Sequence, residues 1–119
     1  SIYRSDSKDG GKTWSPAYAT SLPNNNSGID LVKLENGTLV LVYNPVSNTI
    51  SPRKGPRTPI ILSVSCDNGV TWEERMTLDI GEGQYSYPAI IAEGNDIYIT
   101  YTWKRERIVF WEIEVANII

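Results

Sequence analysis

The octapeptide Ser65-Cys66-Asp67-Asn68-Gly69-Val70-Thr71-Trp72 has a near copy 58 residues earlier, Ser7-Lys8-Asp9-Gly10-Gly11-Lys12-Thr13-Trp14. Both spell Ser-x-Asp-x-Gly-x-Thr-Trp. Serine and aspartate side chains close turns by bonding to nearby backbone, glycine tolerates positive φ, and tryptophan supplies a large apolar plug. The pattern predicts two locked hairpin turns, carried by Ser7, Asp9, Gly11 and Trp14 in one copy and by Ser65, Asp67, Gly69 and Trp72 in the other. A calcium site matches less well, because one carboxylate per turn falls short of the roughly six to eight oxygen ligands the ion takes. No metal is expected.

The repeat extends beyond the octapeptide. At the same offset Leu31, Val32, Leu34, Glu35, Leu39, Leu41 and Tyr43 fall on Ala89, Ile90, Ala92, Glu93, Ile97, Ile99 and Tyr101. Two hairpins follow, turning at Asn36-Gly37 and at Gly94-Asn95-Asp96. Strands are expected at 28–34, 38–44, 59–65 and 73–80 in a complete unit, preceded by strands at 2–7 and 15–21 and followed by strands at 87–92, 97–102 and 108–115. A repeated four-stranded antiparallel unit reads as a β-propeller blade, since one sheet cannot bury both of its faces alone and stacks on its neighbours. The expected fold is therefore all-β. One whole blade, about 28–80, is flanked by strands three and four of an earlier blade and by three strands of a last blade, about 85–115.

Bulk properties agree with this reading and exclude other classes. The 119 residues are 40% apolar with a formal charge of −3, and a pI near 4.9 gives no electrostatic basis for a nucleic-acid partner. No apolar run approaches the roughly 20 residues that span a bilayer, so no membrane partner is expected. One cysteine, Cys66, cannot form an internal disulfide, and the absence of histidine argues against zinc. The compartment stays open. The chain begins Ser1-Ile2-Tyr3-Arg4, without an initiator methionine or a signal-peptide pattern, which reads as a truncated or processed polypeptide. Nine strands are too few to close a ring, so either upstream blades or further copies of the chain are expected. Three copies, a trimer, would bring slightly more strands than six blades require.

Ser-x-Asp-x-Gly-x-Thr-Trp resembles the Asp-box, or bacterial neuraminidase repeat, of sialidases and their relatives. The similarity covers essentially the whole chain, which resembles the C-terminal third of a sialidase-like domain, about two blades of a six-bladed propeller. Asp-boxes also occur in lyases, other glycosidases and non-catalytic propellers, so the motif speaks for the fold more than for an activity.

Alternating strand direction puts both Asp-boxes at one end of the blades. The loop at 45–58, which contains Arg53, Lys54 and Arg57, shares the other end with the crossover at 81–86 and the turn Lys104-Arg105-Glu106-Arg107. Long propeller loops are often functional. Sialidases bind the sugar carboxylate with three arginines and attack the anomeric carbon with a tyrosine, an exception to the usual carboxylate pair. A neutral phenol avoids the repulsion that an anionic nucleophile would meet beside that carboxylate, but its ordinary pKa of about 10 requires a neighbouring base. The resemblance implies Arg57 as the third arginine and Tyr85, in Tyr85-Ser86, as the nucleophile. Arg105 and Arg107 are further candidates for an anionic ligand.

The chain departs from the family pattern. Thr102 stands where many sialidases have a glutamate, and the first two arginines, the acid aspartate and the base glutamate would lie upstream of Ser1. Glu35 and Glu93 belong to the Asp-box end and do not replace that base. Three readings follow. The first is the C-terminal part of a sialidase-like glycoside hydrolase, acting on sialic acid or a similar acidic glycan and inactive as an isolated chain. The second is a non-catalytic propeller fragment for glycan binding or self-assembly. The third is part of a uronate lyase with tyrosine as a proton shuttle. None calls for a cofactor, and the expected partner is an acidic carbohydrate.

Overall fold

The computed structural model describes residues 1–47 and 55–119. Arg53 and Lys54 lie outside the described residues. Among those described, the chain is all-β and forms propeller-type blades. Strands β1 (Tyr3–Arg4), β2 (Tyr18–Ala19), β3 (Asp30–Lys33), β4 (Leu39–Tyr43), β5 (Ile60–Ser65), β6 (Glu73–Asp79), β7 (Tyr85–Glu93), β8 (Asp96–Trp103) and β9 (Arg107–Glu114) precede a 3₁₀ turn, Val115–Asn117. They pair antiparallel in chain order as three sheets, β1-β2, β3-β4-β5-β6 and β7-β8-β9. No helix is long and apolar enough to cross a membrane among the described residues.

Period-two alternation decides what each sheet buries. In the middle sheet Val40 pairs with Val64 and Val42 with Leu62. These side chains meet Ile97, Ile99 and Tyr101 of β8 in the larger core, between the second and third sheets. The alternate positions Leu41, Tyr43 and Ile61 point the other way and join Leu22, Ile2 and Trp72 in a smaller core against the first sheet. β5 is therefore buried along its whole length. Each fully buried Val, Leu or Ile contributes about 1.5–3 kcal/mol relative to exposure, which makes stacking of sheet on sheet the main source of stability. The first strands of successive sheets also touch: the Ile90 amide of β7 donates to Asp30 Oδ2 of β3 at 2.9 Å.

Three local features differ from the sequence reading. Strands expected over 2–7 and 15–21 reduce to Tyr3–Arg4 and Tyr18–Ala19. Pro16 has no amide to donate, and hydroxyl groups take over the ladder, with Ser5 Oγ donating to the Ser15 carbonyl and the Asp6 amide to Ser15 Oγ. The last strand stops at Glu114 and ends in a 3₁₀ turn whose Ile118 is buried, with its carbonyl accepting from Arg75 Nε at 2.9 Å. Finally, β7 begins at Tyr85 and carries a bulge between Ser86 and Ala89.

Candidate functional site

At one end of the sheets lie the two Asp-box turns, built from the same bonds. Asp9 Oδ1 accepts from Ser7 Oγ and from the amides of Lys12 and Thr13, while Oδ2 accepts from Thr13 Oγ1. Asp67 repeats this with Ser65 Oγ, the amides of Val70 and Thr71, and Thr71 Oγ1. Trp14 Nε1 donates to the Gly11 carbonyl and Trp72 Nε1 to that of Gly69, at 3.1 and 3.2 Å. Both glycines need positive φ, 89° and 83°. The threonine hydroxyl, followed by the other donors, lowers each carboxyl from 3.8 to about 2. These lone pairs are consumed inside the turn. The two tryptophans differ: Trp72 packs on the smaller core, whereas Trp14 is 61% exposed.

The loops at the opposite end are tied to one another by hydrogen bonds. Asn25 Nδ2 donates to the Pro56 carbonyl at 2.8 Å, the Tyr85 amide to the Arg57 carbonyl at 2.9 Å and Thr58 Oγ1 to the Gly81 carbonyl at 2.8 Å. The Lys104 amide donates to the Gln84 carbonyl at 2.7 Å. At the centre, fully buried Asn44 donates through Nδ2 to the carbonyls of Pro59 and Tyr85, at 2.9 and 3.0 Å. One amide thus joins the long loop to the start of β7. Five separate stretches, Asn25, Asn44, 56–59, 81–85 and Lys104, are fixed together here, as a ligand site requires.

Arg57 and Tyr85 meet in this network through their backbones, but their side chains diverge. Tyr85 is 2% exposed, and its hydroxyl donates to the Glu82 carbonyl at 3.2 Å. The Arg57 guanidinium instead lies over the ring of Tyr87, 5.4 Å from the centroid. Tyr87 sits in the β7 bulge and is 69% exposed. A second cationic patch lies alongside. Lys104 and Arg105 take positive φ, 51° and 59°, as a tight hairpin demands, and the Glu106 amide donates to the Trp103 carbonyl. Lys104 Nζ and the Arg107 guanidinium lie over the Trp103 ring at 4.4 and 4.8 Å. Glu82, Gly83, Gln84, Lys104 and Arg105 line a cavity of 380 Å³.

The structure therefore brings Arg57, Tyr85, Arg105 and Arg107 to one end of the blades. Arg105 lines the cavity, and Arg107 packs on Trp103. Glu35 and Glu93 lie exposed at the Asp-box end, Glu35 in the turn after β3 and Glu93 as the last residue of β7. Asn44, Tyr87 and Trp103 are the residues that sequence reasoning missed. For Tyr87 a signal existed: Tyr-Pro inside a strand marks a bulge, because proline cannot donate to the ladder. Guanidinium and ammonium groups beside the exposed Tyr87 ring and the half-buried Trp103 ring can bind an anion and stack on an apolar face, the two surfaces an acidic sugar presents. Among the described residues no group of three or more acidic or cysteine side chains is placed to hold a metal ion.

A family model described as a BNR repeat-like domain matches residues 1–99. No curated protein and no solved structure gives a significant match.

Proposed function

The chain belongs to the BNR repeat-like family, and from that premise we propose that it supplies the anion-recognising mouth of a sialidase-like propeller that acts on an acidic glycan. One observation carries this reading: the Tyr85 amide on the Arg57 carbonyl locks the arginine loop to the start of β7, with the guanidinium held over an exposed aromatic ring. In this reading Arg57 binds the sugar carboxylate through two parallel N–H groups, and Arg105 and Arg107 extend the positive surface. Tyr85 is the proposed nucleophile. Its oxygen would bond to the anomeric carbon as the glycosidic oxygen leaves, its proton passing to a carboxylate base and an acid protonating the leaving group. Turnover then requires the acid, the base and two further arginines of the sialidase pattern, which have no matched positions in this sequence.

A second reading, a glycan-binding module without turnover, is favoured by the burial of Tyr85 and by its hydroxyl being held on the Glu82 carbonyl. Product analysis with a sialyl-oligosaccharide and with a uronate polymer separates the alternatives. Free sialic acid, abolished in Tyr85→Phe with affinity kept within a few-fold, supports the hydrolase. Binding without product, retained in Tyr85→Phe and lost in Arg57→Ala, supports the module. Absorbance from an unsaturated uronate would replace both with a lyase.

A further inference from the structure

Tyr87 is held in a conformation that its side chain disfavours. Its φ is 54°, a region that bulky residues rarely occupy. Pro88 follows it, and a residue before proline is pushed toward extended backbone, which adds to the mismatch. This strain gains no burial in return, since the ring is 69% exposed. The ladder around it explains where the ring points. Ser86 pairs with Thr102 and Ala89 with Thr100, so Tyr87 and Pro88 together oppose one residue of β8. Such a bulge re-aims a side chain out of the regular alternation. Ala89 and Ile91 continue on the outer face of the sheet, whereas the Tyr87 ring meets Arg57, which belongs to the loop before β5 of the preceding sheet.

We infer that Tyr87 is the sugar-stacking platform of this site: the ring face that Arg57 leaves open takes the apolar face of a pyranose, while the guanidinium on the other side of the ring reaches past its edge to the carboxylate. The inference rests on the acidic-glycan reading above and adds the residue that recognises the ring of the sugar. Stacking needs the aromatic face and not the hydroxyl, so Tyr87 has no part in bond breaking. The same geometry makes the ligand a sugar acid whose carboxylate lies at the edge of a ring with an exposed C–H face. Arg57 both orients the tyrosine and completes the site, so the two side chains bind as one unit.

The test is saturation-transfer NMR and titration of the full chain with sialyllactose, with a galacturonate oligomer and with a neutral galactose oligomer, alongside melting curves. Tyr87→Phe is expected to bind the acidic probes as wild type does. Tyr87→Ala should lose about twofold to tenfold in affinity, the range an aromatic stack commonly supplies. Tyr87→Gly should lose the same affinity but melt no lower than wild type, because glycine accepts positive φ. Undiminished acidic-probe affinity in Tyr87→Ala would overturn the platform and leave the acidic-glycan reading standing. Binding of the neutral oligomer that depends on Tyr87 but survives Arg57→Ala would keep the platform and overturn the acidic reading. If Tyr87→Gly melts well below wild type, the ring serves packing and the platform is overturned; if no probe binds the wild type, both the platform and the acidic-glycan reading are overturned.

Discussion

Asp9 and Asp67 each accept four hydrogen bonds from their own turns, which leaves little capacity for a cation and makes both groups structural. Their carboxyls are lowered to about 2, chiefly by the threonine hydroxyls. A folded-state value below the unfolded one means that the stabilisation is complete above the unfolded value, 3.8, and is lost as pH falls through the folded value. Melting temperature is therefore expected to drop between about pH 4 and pH 2, and in the double variant Asp9→Asn, Asp67→Asn this acid limb should flatten while the protein melts lower at neutral pH. An unchanged limb would show that these carboxylates do not hold the turns. The residue roles were readable in the sequence because the whole motif is local: every donor lies within four residues of its aspartate. Tyr87 was not, since its role comes from a bulge in one sheet and an arginine on another.

Between the second and third sheets, one polar chain is embedded in the apolar core. The Tyr101 hydroxyl donates to Asp79 Oδ2 across the two sheets and accepts from Trp111 Nε1 at 3.1 Å. Burial, reinforced by the bond to Asp79, raises the Tyr101 phenol well above its ordinary value, so it stays a donor at all working pH. Tyr101→Phe removes the partner of both neighbours and is expected to cost about 1–3 kcal/mol, read from urea unfolding. A loss below about 0.5 kcal/mol would mean that water replaces the hydroxyl. The all-β class was legible at this scale, because runs rich in Val, Ile, Leu and Tyr, such as Leu-Val-Leu-Val-Tyr and Ile-Tyr-Ile-Thr-Tyr, sit beside turn residues at a fixed offset. Element edges were less so. The β1-β2 pair shrinks because serine hydroxyls and Pro16 substitute for backbone pairing, and β7 starts two residues early because Tyr85 and Ser86 pair with Trp103 and Thr102 beyond the bulge.

Across the molecule, the sheets divide two jobs between their ends: locked turns at one, hydrogen-bonded loops and cationic aromatic pairs at the other. Strand direction alone put Arg57, Tyr85, Arg105 and Arg107 at the second end, which is why that placement could be read from the sequence. What lay beyond it was side-chain direction, since burial turns Tyr85 inward and the bulge turns Tyr87 outward. The outer face of the third sheet carries exposed Ile91, Ile108 and Phe110, with Tyr98 stacked on Phe110 at 6.1 Å. The most direct test of the account is amide chemical-shift mapping of the ¹⁵N-labelled chain during titration with sialyllactose. Saturable shifts are expected at residues 57, 82–87 and 103–107 alone, and none in Arg57→Ala. Shifts centred on the Asp-box turns at 7–14 or 65–72, or shifts unchanged in Arg57→Ala, would contradict it.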